Sequence, residues 1–185
     1  MIDELLEDAK RRMNKSVDST AHEFNTVRTG RASAALLDRI QIDYYGQLTP
    51  LKQLATINVP EPRLLTIQPY DPGSIKTIER AIQESELGLT PSNDGKIIRL
   101  PIPQLTEERR KELVRVVKHL AEEGRVAVRN IRRDVMHDLK ELVRDGEVGD
   151  DEERRAEDKA QKLTDEHVGK IDGLLKTKEA EIMEV

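Results

Sequence analysis

The chain has no cysteine, no tryptophan and a single phenylalanine, Phe24, and aromatic residues make up only 2% of it. The missing thiols exclude a disulfide framework and any thiolate-ligated metal centre. So few aromatics argue against a sandwich or barrel as the whole protein, because those cores need more aromatic and β-branched filling. No apolar run approaches the roughly 18 residues that a bilayer span requires. The first residues, acidic from Asp3 onward, do not read as a secretory leader. The expected location is the cytoplasm.

What the sequence has in quantity is charge. Asp, Glu, Lys and Arg supply 36% of the 185 residues and hydrophobic residues another 36%, a balance that suits long solvated helices over a thin core. The net charge of −5 would disfavour a nucleic-acid partner if it were spread evenly, but it is segregated. From Glu107 to Arg133 nine bases face five acids, and from Asp145 onward acids predominate.

Periodicity divides the chain into three stretches. Ile2, Leu5, Leu6, Ala9, Met13, Val17, Ala21, Phe24 and Val27 form one helical stripe, predicting a helix from about Ile2 to about Val27. Thr29-Gly30 then breaks the pattern, with Gly30 expected as a left-handed stop. Between Arg31 and Gln104, where all eight prolines fall, short alternating runs replace the stripe. Arg39–Tyr45, Leu54–Val59, Leu64–Gln68 and Ile97–Ile102 read as strands, and about Ser74 to Ser85 as one short helix. After Pro101-Ile102-Pro103, Thr106 is placed to cap a long helix with Glu107 and Glu108 in its first turn. Its apolar seam is Leu113, Val117, Leu120, Gly124, Ala127, Ile131, Val135, Leu139, Leu142 and Val143. A loop from Asp145 to Asp150 leads to a last helix carrying Ala156, Ala160, Leu163, His167, Ile171, Leu174 and Ile182.

No single helix hides its stripe, and the first two are separated by the whole β-rich stretch. The expected architecture is therefore α+β with two domains. Residues 1–30 and 105–185 form a long antiparallel three-helix bundle, and residues 31–104 an inserted small α/β domain. The two crossings between domains are expected to act as a hinge built from Thr29, Gly30 and Arg31 on one side and Pro101, Pro103 and Gln104 on the other. Glycine supplies backbone freedom there, while the prolines withdraw donors.

On the second long helix Lys111, Arg115, Lys118, Arg125, Arg129 and Arg132 recur at steps of three and four, interrupted by Glu122. Lys111 precedes Leu113, and Arg129 precedes Ile131, by two residues, which turn a helix by about 200°, so this stripe is expected to face away from the core. It extends roughly 30 Å at about 1.5 Å per residue, enough to meet several phosphates of a structured RNA. The alternative is that these side chains only solvate an outer face, as Glu108 and Glu112 nearby would allow. Enzyme readings find less support. His22, His119, His137 and His167 are scattered, with no pair at metal-ligand spacing, and His167 lies on an apolar stripe where packing explains it. No phosphate-binding loop, dinucleotide fingerprint or nucleophile elbow is present. Asp150-Asp151-Glu152-Glu153 reads as favourable charge at a helix start. Of Tyr44 and Tyr45, strand alternation puts one outward, where it could stack on a base or simply lie on the surface.

Four blocks taken in order carry a resemblance: Arg28-Thr29-Gly30-Arg31-Ala32, Tyr44-Tyr45-Gly46, the run from Pro101 to Lys111 (PIPQLTEERRK), and the run from Arg125 to Arg133 (RVAVRNIRR). With the chain length they resemble the bacterial ribosome recycling factor family over essentially the whole sequence. The resemblance implies a β/α/β sandwich for the inserted domain. It also implies a non-enzymatic, monomeric protein, without cofactor or metal, that binds neither membrane nor DNA. Its partners would be the 70S ribosome, the rRNA of the large subunit, and elongation factor G with GTP. Its function would be ribosome recycling after termination, separating the subunits and releasing mRNA and tRNA. The expected rRNA-binding residues are Arg28, Arg31, Arg110, Lys111, Arg115, Lys118, Arg125, Arg129, Arg132 and Arg133. Two other classes are retained for comparison: a helical bundle that binds proteins through its seam, and an enzyme with its site in the small domain.

Overall fold

The helical stripe at the start of the chain forms α1 (Ile2–Asn25), which buries Leu6, Ala9, Met13, Thr20 and Phe24. The structure, a computed structural model, describes residues 1–184. Next come a 3-10 turn (Ala34–Leu37), β1 (Gln41–Tyr44), β2 (Gln47–Pro50), the single turn α2 (Leu51–Leu54), β3 (Ala55–Glu61) and β4 (Leu64–Pro69). They are followed by α3 (Ile75–Glu84), β5 (Ser92–Asn93), β6 (Ile98–Pro101), α4 (Glu107–Arg144) and α5 (Asp150–Met183). The class is α+β, with long helices packed together and a small sheet-bearing part. Spatial proximity divides the chain into two units, one of residues 1–24 and 114–180, the other of residues 25–113 with the chain end from Glu181.

In the first unit α1, α4 and α5 share one core. α4 contributes Val117, Ala121, Val128, Ile131, Val135 and Leu139, and α5 contributes Ala156, Ala160, Thr164 and Ile171. The expected seam is thereby corrected in part: Ala121 and Val128 are fully buried, whereas Leu120 and Ala127 are only half-buried. A helix packed against two neighbours buries a wider arc than one contact row, and the sequence seam followed only one side of it. Gly124 sits where α1 and α5 both come close to α4. A Cβ built there would lie 2.3 Å from Thr20 Oγ1 on α1 and 3.1 Å from Ile171 Cδ1 on α5. His167 is fully buried, its Nδ1 2.6 Å from the Leu163 carbonyl oxygen and its Nε2 2.7 Å from Asn14 Oδ1. That is a packed, hydrogen-bonded histidine.

The second unit is built on two antiparallel sheets, the β1–β2 hairpin and a four-stranded sheet in the order β3-β4-β6-β5. α3 turns Ile75, Ile78 and Ile82 into a core shared with Ile42, Leu51, Leu65, Ile67, Ile98 and Leu100. Periodicity missed β2, α2 and β5 because elements of four, four and two residues are too short to carry a pattern. Tyr45 and Gly46, at φ 51° and 82°, close the β1–β2 hairpin as a two-residue turn whose twist matches the strands. Gly30 is a correction: α1 stops at Asn25, and Gly30 is not among the residues of positive φ, so it is no left-handed cap.

The turn before β6 depends on one carboxylate. Asp94 Oδ1 accepts from Lys96 N at 3.0 Å and Ile97 N at 2.9 Å, and Oδ2 accepts from Arg99 Nη1 at 3.1 Å. These bonds, the one from Ile97 foremost, hold its pKa down to about 2 against an ordinary 3.8. A depressed folded-state pKa contributes stability that is present above the unfolded value and lost as pH falls through the folded one. Asp94→Asn is therefore expected to lower the thermal midpoint at neutral pH and to match the parent protein near pH 2. An equal deficit at both pH values would show that the carboxylate charge is not what holds the turn.

Candidate nucleic-acid interface

Viewed down α4 from Val114 onward, charge is sorted by side. Counting about 100° per residue from the buried Ile131, Arg132, Arg125, Lys118, Arg129, Lys140, Arg115, Arg133 and Arg144 span about 100° to 220°. Glu122 is the only acid in that arc. Glu123, Asp134, Asp138 and Glu141 fall at about 280° to 340°, on the flank where Asp134 accepts from Arg12 of α1 at 3.0 Å. The buried row of Val117, Ala121, Val128, Ile131, Val135 and Leu139 spans about 0° to 80° on the same count, so the basic arc starts at its edge and runs round to the far side, where phosphates could reach it.

Within the arc the cations differ in what they touch. Arg115, Lys118 and Arg133 are exposed. The Arg129 side chain is 45% exposed, and its Nη1 donates to Glu122 Oε1 at 3.2 Å. Arg125 departs from the sequence expectation of an outward residue: its side chain is only 18% exposed, and it donates to Asp172 on α5 at 2.7 Å and to Glu122 Oε2 at 3.0 Å. Arg132 is likewise half-buried and donates to Gln161 of α5 at 3.1 Å. The reason is the wider buried arc, since Arg125 and Arg132 lie one turn from Ala121, Val128 and Val135 and so flank the α5 contact. The bond from Arg125 first, with Arg129 adding to it, holds the Glu122 carboxyl below the usual range.

The remaining candidates belong to the second unit. Arg28 donates to the Pro103 carbonyl at 3.2 Å, and burial together with the neighbouring Arg109 lowers its pKa. Arg28 Nε and Arg110 Nε are buried without a protein partner. Arg31 pairs with Glu184 at 2.6 Å, and Lys111 lies 3.7 Å from Glu107. The residues expected to form the hinge all lie in this unit as well. Thr29 Oγ1 accepts from Arg31 N at 3.2 Å, and Gln104 presents its amide oxygen to the Arg63 guanidinium at 2.7 Å and 2.8 Å. Tyr45 is 86% exposed and stands edge-on to Tyr44, whose hydroxyl donates to Asp71 at 3.3 Å. Among the described residues no group of three or more His, Cys, Asp or Glu could hold a metal ion, and no helix is long and apolar enough to cross a membrane.

Comparison with known proteins adds a name to this geometry. The family model described as Ribosome recycling factor matches residues 20–183. The ribosome-recycling factor of Rubrobacter xylanophilus is 62% identical over 180 residues, covering 97% of each chain, and that of Geobacillus sp. (strain WCH70) is 55% identical over the full length of both. The chain belongs to the ribosome recycling factor family. Among solved structures, a ribosome recycling factor in solution is 43% identical with a TM-score of 0.78, covering 100% of this chain and 98% of that one. Models of the T. thermophilus ribosome recycling factor and the E. coli elongation factor G bound to the E. coli post-termination complex match at 47% identity and a TM-score of 0.70, over 100% of both chains. The ribosome recycling factor model takes in all of α4 and α5. Sequence reasoning stopped the stripe at Arg132, although Lys140 and Arg144, eight and twelve residues on with Met136 between, lie on the same side of the helix. It also had no means of finding Asp172 and Gln161, whose roles exist only once α5 packs on α4.

Proposed function

We propose that the chain recycles ribosomes after translation termination. The basic face of α4 holds it on the rRNA of the large subunit of the post-termination 70S ribosome. Elongation factor G, hydrolysing GTP, then drives separation of the subunits and release of mRNA and tRNA. On this reading the chain catalyses no reaction, needs no cofactor, and works as a cytoplasmic monomer. The observation that carries it is the one-sided arc of Arg115, Lys118, Arg129 and Arg133, which alternating charges solvating a helix would not produce. Family membership supports the same reading, as does a structural neighbour described with elongation factor G on a post-termination complex. Thr29, Gly30 and Arg31 with Pro101, Pro103 and Gln104 are proposed as the flexible crossings that let the GTPase move one part of the chain while rRNA holds the other.

The test follows subunit splitting by light scattering with elongation factor G and GTP, alongside co-sedimentation with large subunits at rising salt. Binding should weaken steeply with salt, and splitting should require all three components. A variant with one cysteine in each unit of this cysteine-free chain, joined as a disulfide, should bind without splitting and regain splitting on reduction. Salt-insensitive binding would remove the rRNA reading, and a locked chain that still splits ribosomes would remove the hinge.

A further inference from the structure

Glu122 is out of place by simple charge counting. It lies at the centre of the basic arc, it would repel an approaching phosphate, and it offsets the cations beside it. If the arc worked by summed charge alone, losing this carboxylate would improve binding.

The geometry gives it another use. Its two oxygens are divided between two arginines, Oε2 accepting from Arg125 Nη1 at 3.0 Å and Oε1 from Arg129 Nη1 at 3.2 Å. Arg125 is fixed from the other side, where Asp172 Oδ1 on α5 accepts from its Nε and Nη2 at 2.7 Å. Asp172, Arg125, Glu122 and Arg129 therefore make a row of alternating sign that starts at the α4–α5 contact and ends in solvent. Arg125, 18% exposed, uses Nε and Nη2 on Asp172 and Nη1 on Glu122, whereas Arg129, 45% exposed, is tethered through Nη1 and keeps Nε and Nη2 for an outside acceptor. A long side chain free in water loses its rotamers on binding, and a tethered one has already lost part of them. A guanidinium held in one orientation also suits two-point contact with phosphate oxygens.

We propose that Glu122 is a positioning residue for rRNA binding: braced by Arg125 and Asp172, it holds the Arg129 guanidinium ready for a phosphate. The inference rests on the reading that the α4 face binds rRNA. It gives Arg125 the part of a strut rather than of a contact.

The experiment measures the affinity of the full chain and its variants for isolated large ribosomal subunits at several salt concentrations. Although it removes a negative charge from a basic face, Glu122→Ala is expected to bind about threefold to tenfold more weakly, the range for ordering one long side chain. Arg129→Ala should also weaken binding. In the Arg129→Ala background, Glu122→Ala should have no effect or tighten binding, because only the repulsion is left to remove. Asp172→Asn, which loosens the strut from α5, should shift affinity in the same direction as Glu122→Ala and by less. A Glu122→Ala chain that binds more tightly than the parent would overturn the proposal, as would an equal loss in both backgrounds. An Arg129→Ala chain with parental affinity would instead remove the rRNA reading of this face, a different failure.

Discussion

Reversal of Arg129, Arg132 and Arg133 to Glu together is expected to abolish co-sedimentation with large ribosomal subunits at near-physiological salt. Each cation that neutralises a phosphate adds roughly 0.7 to 0.9 to the slope of log affinity against log salt, so three losses should flatten that slope by about 2 to 3. The reversed charges also repel, and the combined loss of affinity should be on the order of a thousandfold or more. Folding should change little, because Arg129 and Arg133 are solvent-facing and exposed charges contribute little to stability. Arg132, bonded to Gln161, is the member most able to move the thermal midpoint. The control is Arg154, Arg155 and Lys159 of α5 changed to Glu, an identical change in net charge placed off the arc. If the control lost binding as completely as the arc variant, the ribosome would be sensing total charge and not this face.

Gly124→Ala is expected to destabilise the helical unit by about 1 to 3 kcal/mol, the range for overpacking a filled core. The sign is not obvious, since alanine in a helix is ordinarily favoured over glycine by about 1 kcal/mol. Overpacking wins because the new methyl would fall 2.3 Å from Thr20 Oγ1 and 3.1 Å from Ile171 Cδ1. Rotating Thr20 gives no relief at no cost: its β-branched side chain would bring another heavy atom round, and its hydroxyl would give up the Ser16 carbonyl, to which it donates at 3.0 Å. The reading is checked by thermal and denaturant unfolding of a two-residue cycle. In a Thr20→Ala background the same Gly124→Ala change should become neutral or stabilising, as helix propensity takes over. Were Gly124→Ala to stabilise the chain with Thr20 intact, the three helices would not meet this closely.

How much of this was legible beforehand depends on the range of the interaction that decides each feature. α1, α3, α4 and α5 could be read because Met13, Ile78, Val117 and Ala160 recur with their neighbours at helical spacing over many turns, and Thr106 caps α4 by donation from Arg109 N at 3.1 Å. The strands flanked by proline were found within a residue or two. β2 and β5 were not, since pairing with β1 and β6 defines them and their own residues show no alternation. The basic stripe was visible in the spacing of Lys118, Arg125 and Arg129. The inward turn of Arg125 and Arg132 was not, because it needs Asp172 and Gln161, some 47 and 29 residues further along the chain. Glu122 read as an interruption when its three- and seven-residue separations from Arg125 and Arg129 already placed it between them.

The sorting of charge on α4 has a further consequence for encounter. At distances beyond the Debye length, about 8 Å at physiological ionic strength, salt screens the net charge of −5 and a polyanion senses the chain only weakly. Closer in, the sign a phosphate meets depends on which side of α4 is turned toward it, so the field exerts a torque that rolls the basic arc inward. Close approaches that turn an acidic side toward the phosphates would end in rejection, and only a surface shaped to take the arc would hold the chain. Such a protein can stay unattached among abundant RNA and engage one site, with selectivity that comes from the acidity of the rest of the molecule as much as from its arginines.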